Sequence, residues 1–89
     1  MFDKLKDVYQ LQKQARAMQA ALAKEEVTGM SRDSAFQVTV NGNQDVLRVN
    51  ISDGADMSKE AVERNAKEAF SDALTKVKNI MAQKMQGML

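Results

Sequence analysis

Apolar residues recur along the chain with two different periods, and the change from one to the other divides it in three. From Val8 the apolar positions are Val8, Leu11, Ala15, Met18 and Leu22, alternately three and four residues apart. That spacing winds them into one narrow helical stripe and predicts a helix from about Phe2 to Lys24 with a coiled-coil-like seam. The C-terminal part repeats the behaviour. Val62, Ala66, Ala69, Ala73, Val77 and Ile80 form one stripe, with Phe70, Leu74, Met81 and Met85 as a second beside it. A helix from about Ser58 to Met85 therefore has an apolar face wide enough for both a sheet and another helix. Ser58, two residues after Asp56, is the expected N-cap, because its hydroxyl can accept a hydrogen bond from an unpaired amide of the first turn.

Between these segments the period is two. Phe36, Val38 and Val40 alternate with Gln37 and Thr39, and Leu47, Val49 and Ile51 alternate with Arg48 and Asn50, as in strands with one buried and one wet face. Asn41-Gly42 joins them and tolerates the positive backbone angles of a hairpin turn. A loop of two or four residues keeps the two apolar sets on the same face, whereas a slip of one residue would expose one of them. A shorter strand, interrupted by Gly29, is expected near Val27 to Ser31. The predicted fold is α+β: a helix, a three-stranded antiparallel sheet and a helix.

Element lengths predict a homodimer. A helix of about 23 residues is roughly 35 Å long and one of about 28 roughly 42 Å, whereas strands of five or six residues span about 17 to 20 Å. The helices must overhang the sheet, and their apolar stripes continue through the overhang at Leu5 to Leu11 or at Ile80 to Met88. Left bare, such stripes are aggregation sites, and a second copy is their natural cover. Joining sheet edges or faces with that copy would also blunt the exposed edges.

Composition narrows the chemistry. At 89 residues the chain is expected to form a single domain, 1–89. There is no cysteine and no histidine, which removes disulfides, thiol nucleophiles, the usual general base and the commonest metal ligands. No catalytic constellation and no Gly-rich phosphate loop stand out, so an enzyme, a cofactor, a bound metal and a small-molecule substrate are not expected. Asp45, Asp53 and Asp56 lie near turns without calcium-loop spacing. No run approaches the ~18 apolar residues of a membrane span, and the first residues lack the apolar core of a signal peptide. A cytoplasmic protein without a membrane partner is expected. Seven Met, three Phe, one Tyr and no Trp make a light core, for which oligomerisation is a remedy.

The nearly neutral total, +1, conceals zoning. Residues 1–24 carry Lys4, Lys6, Lys13, Arg16 and Lys24 against Asp3 and Asp7. The middle, 25–57, has only Arg32 and Arg48 against six acids, and 58–89 is basic again, with every acid at or before Asp72. Lys76, Lys78 and Lys84 are therefore expected to stand unopposed on the final turns. On helical geometry Lys6, Lys13 and Lys24 fall on one line opposite the Val8-to-Leu22 seam. Such a ridge suits phosphates, whose neutralisation releases condensed counterions without any reading of bases. The candidate nucleic-acid contacts are Lys6, Lys13, Arg16, Lys24, Lys76, Lys78 and Lys84. Aromatic interleaving is missing apart from Tyr9, so base stacking is not expected. Met81, Met85 and Met88 support an alternative, a small dimeric module docking another protein through Met-rich helix ends.

Several segments together carry a family resemblance. Lys13-Gln14-Ala15-Arg16-Ala17-Met18-Gln19, Val27-Thr28-Gly29, Val38-Thr39-Val40-Asn41-Gly42 and Asp72-Ala73-Leu74, in that order and spacing, resemble the YbaB/EbfC family of bacterial nucleoid-associated proteins. The resemblance implies a homodimer whose helices project as paired prongs. It also implies double-stranded DNA as partner, with limited sequence preference, and a place in the nucleoid, in chromosome organisation or gene regulation. The chain departs from the family pattern at Ser31-Arg32-Asp33-Ser34-Ala35, where a glycine-rich link is frequent, and at Asp53-Gly54, where Asp-Pro is frequent.

Overall fold

The two periods resolve into helix α1 (Lys4–Ala23), strands β1 (Glu26–Met30), β2 (Phe36–Asn41) and β3 (Val46–Ile51), and helix α2 (Lys59–Met88), in a computed structural model that describes residues 4–88. The predicted start of the first helix at Phe2 and the side chain of Met88 lie outside the described residues. The strands form one antiparallel sheet in the order β1-β2-β3, so the fold is α+β as predicted. Helix α2 runs past the predicted end at Met85, and β1 begins one residue earlier than expected and is not interrupted by Gly29. Ser58 caps α2: its Oγ accepts the Ala61 amide at 3.3 Å, while Asp56 Oδ1 accepts the Ser58 amide at 2.9 Å.

Helix α2 lies across β1 and β2. Phe36, Val38 and Val40 from the sheet meet Ala69, Ala73 and Val77 from the helix, with Val27, Ala66 and Phe70 at the margin. Small side chains on this helix face let its backbone come close to the sheet, and Gly29 marks the closest approach. A Cβ at Gly29 would overlap the Ala69 carbonyl oxygen and the Ala73 amide nitrogen and stand 2.7 Å from Ala73 Cβ. Gly29 is thus a packing residue within β1, not the interruption of it that the sequence suggests. The rings of Phe36 and Phe70 are tilted by 49° with centroids 6.2 Å apart, a favourable aromatic geometry.

Strand β3 departs from expectation. Ile51 and Val49 stand opposite Phe36 and Val38, but a bulge between Thr39 and Val40 brings Val46, not Leu47, opposite Val40. The extra residue, Leu47, breaks the predicted Leu47-Val49-Ile51 set. All six β3 residues are exposed, because α2 covers β1 and β2 and leaves the third strand bare. The hairpin loop holds four residues, 42–45, one of the two parity-preserving lengths. The positive φ falls on Gln44, at 68°, and not on Asn41-Gly42. Asn41, buried, organises the turn by accepting the Asn43 and Asp45 amides on its Oδ1 at 2.9 and 3.1 Å.

Helix α1 meets the body at its last turn. Leu22 is its one buried residue among those described. The Leu22 carbonyl accepts the Gly42 amide at 2.9 Å, and the Gln19 carbonyl accepts Asn43 Nδ2 at 3.0 Å. Hairpin residues thereby add bonds to the helix end, where the Leu22 carbonyl also accepts the Glu25 amide at 3.1 Å. The molecule is 66 Å long and only 19 × 18 Å across, so most of its length is helix beyond the sheet.

Candidate nucleic-acid interface

The apolar seam of α1 has no cover within the protomer. Leu5, Val8 and Leu11 are exposed, Leu11 by 65%, and Met18 is half-buried. Lys6, Lys13 and Arg16 are exposed as well, with Lys24 on the turn that follows the helix. Helical geometry separates the two sets: Lys6 and Lys13 project from the side opposite the seam, whereas Lys24, expected on the same line, lies past the last helical residue, Ala23. One helix thus offers an apolar side for packing and a basic side for an anion.

The cations of α2 differ from one another. Lys78 is exposed and forms no ion pair among the described residues. Lys76 is not unopposed, contrary to the expectation from zoning. Its Nζ donates to the Thr28 carbonyl at 2.7 Å and pairs with Asp72 at 3.1 Å. Lys84 is also engaged, pairing with Glu25 at 3.1 Å. Asp72 sits one helical turn before Lys76, within the same segment, so helical spacing pairs them; Glu25 arrives from the acidic middle through the fold and is invisible to a count along the last segment. Of the seven candidates, the structure leaves Lys6, Lys13, Arg16, Lys24 and Lys78 available to solvent without such partners among the described residues.

Lys76 belongs to a ladder along the outer edge of β1. Glu68, Asp72 and Lys76 are spaced four apart on α2, so they line one side of the helix. Glu68 Oε1 accepts the Arg32 amide at 3.1 Å, Asp72 Oδ2 accepts the Met30 amide at 3.0 Å, and Lys76 donates to Thr28. One outward backbone group at each of Thr28, Met30 and Arg32 is thereby occupied. The Met30 amide, and next the Lys76 ammonium, hold the Asp72 carboxyl below the usual aspartate range.

Two further cations escape charge zoning. Arg64 and Lys67 are surrounded in sequence by Glu60, Glu63 and Glu68, which hides them from any local sum. On the helix they fall with Ser71 and Lys78 on one side, at spacings of three, four and seven, a signal present in the sequence. With Arg32 and Ser34 they line an open cleft of about 710 Å³ between α2 and the β1–β2 loop. The turn aspartates serve the backbone: Asp33 is held below its ordinary range first by the Ala35 amide and then by the Ser31 hydroxyl, and Asp56 by the Ser58 amide. No group of three or more potential metal-ligating acids occurs among the described residues. No described helix is long and apolar enough to cross a membrane.

Comparison with known proteins agrees with the geometry. A nucleoid-associated protein of Polynucleobacter necessarius is 34% identical over 83 residues, covering 93% of this chain and 78% of the relative. The crystal structure of an uncharacterised Helicobacter pylori protein superposes with a TM-score of 0.73 at 20% identity, covering 92% of this chain and 98% of that one, which establishes the shared fold. The model of the YbaB/EbfC DNA-binding family matches residues 1–89. A basic helix rooted on a hairpin, a long second helix clasping the edge of a small sheet, and a family match along the whole sequence have one outcome: the chain belongs to the YbaB/EbfC DNA-binding family.

Proposed function

We propose that the protein is a nucleoid-associated homodimer that holds duplex DNA through backbone phosphates, with Lys6, Lys13, Arg16 and Lys24 of the α1 region and Lys78 of α2 as the principal contacts. The observation that carries this reading is the two-sidedness of α1. Its seam of Leu5, Val8 and Leu11 is bare, and its basic line faces the other way. A second copy covering the seam would leave the lysines outward, each present twice. Lys84 would join them on release from Glu25, whereas Lys76 is committed to the sheet edge.

The dimer contact is assigned to the surfaces that the protomer leaves apolar and open. Strand β3 exposes Val46, Leu47, Val49 and Ile51, and α2 exposes Leu74, Met81 and Met85. The outer edge of β1 is partly taken up by Asp72 and Lys76, on the Met30 amide and the Thr28 carbonyl, which favours β3 as the edge for pairing. Phosphate contacts position a protein without reading sequence, so little discrimination between duplexes is expected.

Fluorescence anisotropy with random duplex DNA at several salt concentrations tests the reading. Replacing Lys13 and Arg16 by Glu should weaken binding to all duplexes by similar factors. It should also make the log–log salt slope shallower, by about 0.9 for each phosphate no longer neutralised, with an unchanged circular dichroism spectrum. An affinity indifferent to salt would instead favour apolar docking through Leu74, Met81 and Met85. Loss of binding through Glu at Gln37 or Asn50, with the helix variants still binding, would move the site to the wet face of the sheet.

A further inference from the structure

The cleft between α2 and the β1–β2 loop is not explained by the basic side of α1. It lies at the end of β1 away from the root of α1, where Arg32 follows the strand, whereas Glu25 and Lys84 meet at the opposite end. Its lining includes Arg32, Ser34, Arg64, Lys67 and Ser71, together with Glu68 and Asp72. Both carboxylates are already engaged. Glu68 accepts the Arg32 amide and pairs with the Arg32 guanidinium at 3.8 Å, and Asp72 serves the Met30 amide and Lys76. Arg64 and Lys67 have no carboxylate within ion-pair distance among the described residues. Glu60, one turn earlier, does not pair with Arg64, and Arg64 acts on Asp56 only as the smallest of the influences on that carboxyl. The Arg32 side chain, paired through Nε, is 92% exposed and keeps the rest of its guanidinium fork available.

We propose that this cleft is a second phosphate-binding site, in which Arg64 and Lys67, with the Ser71 hydroxyl and the open side of Arg32, hold a backbone phosphate of duplex DNA. An arginine fork and an ammonium converging on one opening suit a tetrahedral anion. Two features select a polymer over a free ion. The cleft is open along the helix, and its basic side continues through Ser71 to Lys78, about 21 Å from Arg64 at 1.5 Å per residue. A duplex bearing one phosphate per ≈1.7 Å of axis can occupy such a line continuously, whereas a single small anion fills only one end of it. The proposal rests on the DNA-binding reading and adds to it a contact region remote from α1.

The test compares R64Q/K67Q with K13Q/R16Q and the unmodified protein in anisotropy titrations with a 40-base-pair duplex across a salt series. Backbone-amide NMR titrations with inorganic phosphate form a second arm. R64Q/K67Q should weaken duplex binding several-fold and reduce the salt slope by about 0.9 for each cleft whose phosphate is no longer neutralised, with circular dichroism unchanged. If R64Q/K67Q matches the unmodified protein while K13Q/R16Q binds more weakly, the cleft site is overturned and the α1 reading stands. If K13Q/R16Q is without effect and R64Q/K67Q abolishes binding, the α1 reading fails and the cleft remains. Saturable phosphate shifts at Lys67 and Ser71 with no change in the duplex slope of R64Q/K67Q would make the cleft a small-anion site and overturn its assignment to DNA.

Discussion

Gly29 and Gly42 show how much of this fold depends on atoms that are missing. At Gly29 the obstacle to any side chain is the backbone of α2, which cannot swing aside like a flexible side chain. Gly29→Ala should therefore destabilise the protein by about 1–3 kcal/mol, the usual range for overpacking a close contact, seen as a lower midpoint in thermal and urea melts. Gly87→Ala is the control, because nothing lies within 4 Å of a Cβ there and alanine favours a helix. If both variants melt alike, the helix does not sit as close to β1 as described. At Gly42 a Cβ would stand 2.8 Å from the Leu22 carbonyl oxygen and 2.9 Å from Leu22 Cδ2. Substitution there acts on the angle at which α1 leaves the body, because the same Leu22 carbonyl accepts the Gly42 amide.

At the scale of elements, α2 both covers the sheet and closes one of its edges. The Glu68-Asp72-Lys76 ladder replaces, with side chains, the strand that would otherwise add to β1. Because the folded state lowers the Asp72 pKa, its ionised form stabilises the fold above the ordinary aspartate range. That contribution disappears as pH falls below about 4 and through the lower folded value. Asp33 and Asp56, lowered by amide hydrogen bonds, act in the same direction. Asp72→Asn should lower stability at pH 7 and narrow the difference between urea midpoints at pH 7 and pH 3. An undiminished pH dependence would mean that Asp72 is not among the groups driving acid unfolding. Two of the segments that carry the family resemblance meet in this clasp, Gly29 packing against Ala73 while Asp72 and Lys76 bond to the Met30 and Thr28 backbone beside it.

For the whole molecule, the governing feature is a slender body with apolar surface on β3, on the α1 seam and on the second stripe of α2. Sedimentation equilibrium should give twice the chain mass. Val49→Lys should shift the protein toward the single-chain mass with its secondary structure retained, since Val49 is 51% exposed in the protomer and its burial would come from the partner. Leu22→Asp should behave differently. Leu22 is buried within the protomer against the hairpin, and an unpaired buried charge costs several kcal/mol, so this variant should lose structure. A Val49→Lys variant that stays dimeric would place the contact on the helix stripes instead of β3.

The sequence alone determined what depends on neighbours a few residues away. Apolar spacing specifies the helices and strands in order, Asp56 and Ser58 specify the start of α2, and the parity of Phe36, Val38 and Val40 specifies the buried face. Each of these follows from backbone geometry repeated over one or two turns or a few strand positions. The basic line opposite the α1 seam was legible for the same reason, as was the order of motifs that marks the family. The tertiary structure decided whatever joins distant residues. It placed the Thr28 carbonyl against Lys76, 48 residues later, and Glu25 against Lys84, which removed two apparently unopposed lysines from the free basic surface. It used Gly29 and Gly42 for close approach, and it left β3 uncovered because α2 is broad enough for only two strands. Arg64 and Lys67 became conspicuous only when the fold had engaged Glu68 with the Arg32 amide and set the β1–β2 loop beside them as the other wall of an open cleft. Local periodicity assigns a residue to a face, but only the packed chain decides what that face meets.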